Sequence, residues 1–517
     1  MKPFVAILIA AAFLNMPQLF ADDPAKPKAD AKSVEGTWQG SLKAGAVELR
    51  LAFKITKKKD GSLTATMDSI DQGAKDIPVD VVTWKEPDLR MELKVPGNPV
   101  FEGKANKDLT QIEGKWKQSG QTFPLTIKRV EKMTELKRPQ EPKKPYPYLE
   151  EEVAYDNPRA GVKLAGTLTV PKGDGPFPAV LLIAGSGPNS RDEVVFGHKV
   201  FLVLADYLTR RGVVVLRSDK RGIGKSTGKY AEATSADFAD DALAGVEYLK
   251  SRKEVDPHEI GLVGHSEGGV VAPMVASRSK DIAFIVLMAG TGVTGEQVLY
   301  RQGADILKAM GTDAKTLAKQ RATQEKMFAI LKEEHDRAAM EKKLNDFVAQ
   351  EIAELSEEDK KTAKTQKTAL DAQVKSLLTP WMRYFLTFDP QATLGLVQCP
   401  VLAINGEKDL QVAADVNLPA IEKALRAGGN HDVTVKELPN LNHLFQTSKT
   451  GNIFEYGQIE ETISPTALAL MGDWIESQAK RPAADSTVTA SNESWEDSPR
   501  LGDRLRSRLR NLRLRNR

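Results

Sequence analysis

The sequence predicts an α/β protein: a mostly parallel sheet covered by helices on both faces, broken by a helical insertion and preceded by a small all-β domain. Three observations carry this reading. Between residues 34 and 130 apolar residues recur at every second position, the period of half-buried strands. From residue 150, continuous apolar runs such as AVLLI, VVVL and FIVLM alternate with helical segments, as buried parallel strands do. Between residues 296 and 393 the alternation gives way to a highly charged, helical stretch, and then it resumes.

The chain opens on FVAILIAAAFL behind Lys2, followed by Asn15, Pro17 and QLFADDP. A basic start, an apolar stretch of about a dozen residues and a small residue before a polar segment predict a secretory signal over residues 1–21, cleaved after Ala21 or retained as an anchor. The protein is therefore expected to be exported: periplasmic, secreted or held at a surface. Residues 22–33 are polar and read as a linker. The 517 residues are 41% hydrophobic and 28% charged, which excludes a disordered or collagen-like chain. A single cysteine, Cys399, excludes a disulfide framework and a Cys-rich zinc site. Arg500 to Arg517 holds eight arginines and one aspartate, a charge of +7. With a total of +3, the remainder stands at −4. A mildly acidic body argues against nucleic-acid binding on a basic face.

In the β domain, Val47, Leu49, Leu51, Phe53 and Ile55 alternate with polar residues, as do Leu89, Met91, Leu93 and Val95. The turn signals KKDGS, VPGNP and KQSGQ fall between such runs. The expectation is a barrel or sandwich of about seven or eight strands, filled by its own side chains and packing on the next domain. A ligand- or wall-binding module is the alternative. The opening VEGTWQGSL resembles the first strand of lipocalin-type barrels. Residues 131–149, with Pro139, Pro142, Pro145 and Pro147, read as a semi-rigid linker. The α/β domain runs over 150–479. In it SADFADDALAGVEYLKS is expected to be a helix capped by Ser235 or Asp237.

The sharpest chemical signal is LVGHSEGG, a G-x-S-x-G formed by Gly264, His265, Ser266, Glu267 and Gly268. The pattern is common by chance, but here it follows an apolar strand and opens a helix. A tight strand-to-helix turn pushes the serine hydroxyl out of the backbone, and glycines on either side admit the turn. Ser266 is the candidate nucleophile. The helix N-terminus also offers free N–H groups to a developing oxyanion. An activated serine needs a base, and the base needs an orienting acid. Of six histidines, His265 sits on the elbow itself, His198 lies early in the fold and His335 lies in the insertion. His258 and His431 stand at strand starts, the wrong end of a parallel sheet. His443, in LPNLNHLFQ just after the last strand, is the candidate base. The acid should follow the preceding strand, where PVLAINGEKD offers Asp409, the preferred residue, and Glu407, the fallback. The N–H groups of Glu267 and Ser186 are the candidate oxyanion donors. Trp381, Tyr384, Phe385 and Phe388 fall at i, i+3, i+4 and i+7, a stripe that lines an acyl pocket or forms the insertion's own core.

The segments LLIAGSGP, RSDKRGIGKSTG, GLVGHSEGG, PWMRYFLTFDP, INGEKD and LNHLFQ resemble those of the α/β-hydrolase superfamily. The nearest group is the bacterial serine esterases and serine aminopeptidase-like hydrolases with a helical cap. The resemblance covers about residues 150–478 and implies hydrolysis of an acyl bond through a serine ester. It implies no metal and no organic cofactor. Ser266 stands where epoxide and haloalkane hydrolases carry Asp. In DKRGIGKST, the residues Asp219, Arg221, Gly222 and Gly224 read as a structural loop, or as one that shapes the surroundings of the oxyanion hole. Lys225 and Ser226 lack the glycine spacing of a P-loop. The expected function is cleavage of a small carboxylic ester. The alternatives are a peptidase or amidase, and a non-catalytic exported binding protein.

Residues 480–517 are polar and then Arg-rich. Leu501, Leu505, Leu509 and Leu512 would form a narrow stripe between the arginines, the pattern of a segment that binds an anionic membrane or wall polymer. A solvated charged tail is the alternative.

Overall fold

The computed structural model describes residues 33–479, except 45–46, 96, 119, 358, 361–362 and 364–366. The expected signal, most of linker 22–33, and the tail with its Arg and Leu stripe lie outside the described residues. Among the described residues no helix is long and apolar enough to cross a membrane.

The first sheet is an antiparallel meander of strands β1 (Gly36–Ala44), β2 (Val47–Lys57), β3 (Leu63–Ser69), β4 (Ala74–Val79), β5 (Val81–Lys85), β6 (Asp88–Glu92), β7 (Val100–Ala105), β8 (Gln111–Gln118) and β9 (Gln121–Val130). Their order is β4-β3-β2-β1-β9-β8-β7-β6-β5. The first and last strands pair, Trp38 facing Arg129, so the sheet nearly closes and its open seam lies between β4 and β5. Nine strands replace the expected seven or eight. The segment after Met67 carries Asp76 and Pro78 and shows no alternation, yet β4 pairs only with β3, and an edge strand tolerates proline. Trp38, Phe53, Met91, Phe101, Ile112 and Ile127 fill the interior and are almost wholly buried.

The proline-rich stretch after β9 is a strut rather than a spacer. The Arg138 guanidinium donates to the carbonyls of Gly457 (2.9 Å), Ile459 (3.1 Å) and Phe196 (3.2 Å). Gln140 accepts from the N–H groups of Thr462 and Ile463 and donates to the Ile463 carbonyl. Composition reports stiffness but not docking, so this contact was invisible in the sequence.

The second sheet contains β10 (Leu149–Asn157), β11 (Val162–Val170), β12 (Phe177–Ile183), β15 (Val214–Ser218), β16 (Val255–His265), β17 (Phe284–Met288), β18 (Val401–Gly406) and β19 (Val433–Leu438). A two-stranded hairpin, β13 (Val194–Val195) and β14 (His198–Lys199), stands apart. The order is β10-β11-β15-β12-β16-β17-β18-β19. β10 and β11 run antiparallel, and from β15 to β19 neighbours run parallel. Alternate residues of the central strands feed two cores. Leu181, Leu216, Leu262 and Ile285 join the helices Ser235–Lys250, Gly268–Ala276 and Ala414–Ala427. Leu182, Val215, Val263 and Val286 join Val200–Arg210 and Pro465–Ala479. Burial on both faces explains why these strands are apolar throughout. From β12 the chain goes to β15 on one side and then to β16 on the other. The crevice at their carboxyl ends is the topological switch where open α/β sheets bind ligands.

Between β17 and β18 stand the helices Gly295–Ala309, Ala314–Glu333, Arg337–Ala353, Lys367–Leu377, Pro380–Thr387 and Pro390–Leu394. Thr294, Asp313, Asp336, Thr379 and Asp389 cap helices here, each accepting from a backbone N–H in the first turn. Helix Ser235–Lys250 is capped by Thr234 rather than by Ser235 or Asp237. Asp237 sits at the third helical position and completes a capping box.

Candidate active site

Ser266 stands where β16 turns into helix Gly268–Ala276, at φ +53°, a strained conformation for a residue with a side chain. Its N–H donates to the Met288 carbonyl at 2.8 Å. Close backbone approach explains the flanking glycines. A Cβ on Gly264 would lie 2.0 Å from the Gly268 carbonyl oxygen, and one on Gly268 would lie 1.9 Å from that of Ile183. His265 and Glu267 are buried while Ser266 is half-buried, so the turn presents the serine alone.

His443 and Asp409 come from the loops after β19 and β18. His443 Nδ1 lies 2.7 Å from Asp409 Oδ2. Asp409 Oδ1 accepts from the N–H groups of Gln411 (2.8 Å) and Val412 (2.9 Å), so the carboxylate is fixed before it meets the ring. Glu407 is exposed and accepts from Asn440 N–H at 2.8 Å. The structure therefore brings Asp409, and not Glu407, to His443, the candidate base. A carboxylate on Nδ1 selects the tautomer that leaves Nε2 with a lone pair. Ser266 Oγ and His443 Nε2 form no hydrogen bond to each other in this structure. Such bonds commonly tighten only with substrate in place.

The loop after β12 meets the elbow. A Cβ on Gly185 would lie 3.2 Å from Ser266 Cβ. The carbonyls of Gly185 and Ser186 accept from Asn189 Nδ2 at 2.8 and 2.9 Å. Among the described residues the N–H groups of Ser186 and Glu267 have no protein acceptor.

Several site residues carried no sequence signal. Lys220, in the loop read as structural or as shaping the oxyanion hole, donates to the Gly185 carbonyl (2.6 Å) and to Glu267 Oε2 (2.8 Å), with its ammonium 4.3 Å from the centre of the Phe238 ring. Glu267 Oε1 accepts from Ser235 Oγ (2.6 Å) and from Trp381 Nε1 (2.5 Å). Of the expected aromatic stripe, Tyr384, Phe385 and Phe388 line a small cavity with Val270, Thr291 and Val293. Trp381 is not among the lining residues. It is buried, stacks on Phe385 at 5.0 Å, and ties the helical insertion to the elbow. Glu193, in NSRDEVV, accepts from Gly185 N–H at 2.6 Å and sits 2.9 Å from His265 Nδ1. Burial pushes the His265 pKa down, but the charge and hydrogen bond of Glu193 prevail and raise it. The one cysteine, Cys399, is pushed up to about 12 by burial. Among the described residues no cluster of three or more His, Cys, Asp or Glu side chains is arranged to hold a metal ion.

The sheet order, the elbow after β16 and the two following loops define the architecture of the α/β-hydrolase superfamily. Residues 160–425, just over half of the chain, match the family described as X-Pro dipeptidyl-peptidase (S15 family), and the chain belongs to that family. It is also 38% identical over 139 residues to esterase EstD of Thermotoga maritima, a match covering 27% of this chain and 33% of that protein. It is 32% identical over 134 residues to the putative hydrolase YtaP of Bacillus subtilis, covering 22% of this chain and 44% of that protein. The chain thus spans less than half the length of either relative. Among solved structures, an esterase of Pyrococcus furiosus overlaps with a TM-score of 0.39 at 17% identity, covering 64% of this chain and 90% of that one.

Proposed function

We propose that the protein is a serine hydrolase that cleaves a small carboxylic ester through an acyl-enzyme. The observation that carries this reading is the Asp409–His443 hydrogen bond of 2.7 Å beside an elbow that presents Ser266 at φ +53°. His443 Nε2 takes the Ser266 proton as Oγ attacks the ester carbonyl. Asp409 holds the ring and stabilises its cation. The unengaged N–H groups of Glu267 and Ser186 receive the oxyanion. The tetrahedral adduct collapses, and the leaving alkoxide takes its proton from His443. Water then gives a proton to His443 and attacks the acyl carbon. The acid departs as Ser266 regains its hydrogen.

The small cavity under the helical insertion is the proposed acyl pocket, and its lining favours an ester over a peptide. Tyr384, Phe385, Phe388, Val270 and Val293 suit an apolar acyl group, and no carboxylate lines it. A free amine wants an unpaired acid. Two buried glutamates stand nearby, and both are engaged: Glu267 by Lys220, Ser235 and Trp381, and Glu193 by Gly185 N–H and His265. Family membership favours the second reading, a peptidase. Turnover of p-nitrophenyl butyrate against an aminoacyl-p-nitroanilide separates the two. Ester turnover should dominate, and Ser266→Ala should lower kcat by ~10⁴-fold or more. Faster anilide turnover would make the protein a peptidase. No turnover that depends on Ser266 would make it a binding protein on a hydrolase scaffold. In this reading the helical insertion caps the site, the protein is exported, and the Arg-rich tail holds it on an anionic membrane or wall surface. Removal of residues 500–517 should abolish salt-sensitive binding to anionic vesicles and spare ester hydrolysis. Equal binding with and without the tail would end the tail's role.

A further inference from the structure

The reaction proposed above uses neither Glu193 nor His265, yet both lie at the centre of the site, 1% and 3% exposed. Their hydrogen bonds form one chain. Gly185 N–H donates to Glu193 Oε1 at 2.6 Å. The same oxygen lies 2.9 Å from His265 Nδ1. On the far side of the ring, His265 Nε2 lies 3.0 Å from the His443 carbonyl oxygen. Glu193 Oε2 is buried and has no hydrogen-bond partner among the described residues, so all of the carboxylate's hydrogen bonding converges on one oxygen.

The hydrogens can be counted. A carbonyl oxygen only accepts, so Nε2 of His265 carries a hydrogen. Glu193 Oε1 already accepts from Gly185, and a further hydrogen must lie between it and Nδ1. A neutral imidazole has one N–H for these two acceptors. The second hydrogen is assigned to the ring, whose pKa the Glu193 charge and hydrogen bond raise against the opposing effect of burial. The buried pair is then an imidazolium held against a carboxylate.

The chain of bonds joins three loops. Gly185 precedes Ser186, whose N–H is a proposed oxyanion donor. His265 precedes Ser266. The accepting carbonyl belongs to His443 itself, and the two imidazole rings lie 4.9 Å apart. These loops follow β12, β16 and β19, and within the sheet β19 is bonded only to β18. The chain of bonds thus ties the proposed base to the nucleophile directly, across the two strands, β17 and β18, that separate β16 from β19 in the sheet.

We propose that Glu193 and the His265 imidazolium are a positioning pair, which fixes the proposed oxyanion loop and the backbone of the proposed base relative to Ser266. This rests on the reading of Ser266, Asp409 and His443 given above. Neither residue touches substrate. In Glu193→Gln the ring loses its counter-charge and reverts to one N–H, so one of the three bonds is lost: that between Oε1 and Nδ1, that to the His443 carbonyl or, with the amide turned to donate to Nδ1, that from Gly185 N–H. Misplacement of reacting groups by about 1 Å costs up to about 100-fold in rate.

The test uses the full-length protein, p-nitrophenyl butyrate, a fluorophosphonate probe that labels the nucleophile, and histidine labelled with ¹⁵N in the ring. In wild type, one of the six histidines should show both ring nitrogens protonated at pH 8. In Glu193→Gln that signature should vanish, kcat should fall by about 10- to 100-fold, KM should stay within about twofold, and fluorophosphonate labelling should slow in step with kcat. Should Glu193→Gln not fold, Glu193→Gln/His265→Gln, which exchanges the ion pair for two neutral amides, is measured under the same criteria. A folded variant with wild-type kcat, or a wild-type spectrum without a doubly protonated ring, overturns the proposal. Ser266→Ala run alongside separates the two ideas. If it stays active, the reading of the nucleophile fails and the pair has nothing to position. If it is inactive while Glu193→Gln turns over normally, the positioning role alone fails.

Discussion

Acid should weaken this protein through His198. The ring is fully buried. Nε2 lies 2.8 Å from the Tyr456 carbonyl oxygen and Nδ1 lies 2.9 Å from the Thr462 hydroxyl. Gln446 Nε2 lies 2.9 Å from the same ring Nε2, and among the described residues no carboxylate is bonded to the ring to balance a charge. Burial lowers the pKa from 6.5 to about 4, the charge of Arg138 adds to the shift, and hydrogen bonds to the Tyr456 and Ile459 carbonyls oppose it. The folded-state pKa thus lies below the unfolded one, and between the two the unfolded chain binds more protons. Stability from this group is complete above pH 6.5 and is lost as pH falls towards 4. At about 1.4 kcal/mol per pH unit, the loss is about 2 kcal/mol between pH 7 and 4.5 and approaches ~3 kcal/mol below pH 4. The assay is urea unfolding at both pH values for wild type and His198→Gln. The variant is offset at pH 7 by its altered hydrogen bonds, but its pH dependence should be shallower by that amount. Equal pH dependence in the two proteins would refute the reasoning.

Four further outcomes follow from the site. Asp409→Asn should lower ester kcat by orders of magnitude while Glu407→Gln changes it little, because only Asp409 holds the ring; the reverse ranking would move the role to Glu407. Lys220→Met strands the Glu267 carboxylate in a buried site (side chains 8% and 3% exposed) and should cost about 3–5 kcal/mol in urea unfolding, largely recovered by Lys220→Met/Glu267→Gln. A cost below about 1 kcal/mol would contradict that reading. Phe385→Ala should shift p-nitrophenyl ester preference towards longer acyl chains because it enlarges the cavity. Trp381→Phe, which deletes one N–H donor to a charged acceptor, should instead lower stability by about 1.5–3 kcal/mol and leave that preference unchanged.

Much of this protein is written locally. Period-two runs produce the first sheet, and continuous apolar runs produce the second, because a strand buried on both faces has no polar side to show. The elbow is legible because its glycines, its serine and the strand before it are contiguous, and His443 follows from chain order and strand ends. The rest is decided by contacts between residues far apart in sequence. Asp409 and Glu407 stand two residues apart after the same strand, and only the fold turns one towards His443 and the other to the surface. Trp381 reads from its own helix as pocket lining or as the insertion's core, but its partner Glu267 lies 114 residues away. Glu193 and His265 are 72 residues apart, and the carbonyl that completes their chain is 178 residues from His265. Local periodicity reports which face of an element is apolar. It does not say which buried charge meets which, since that depends on how the sheet brings distant loops to one edge.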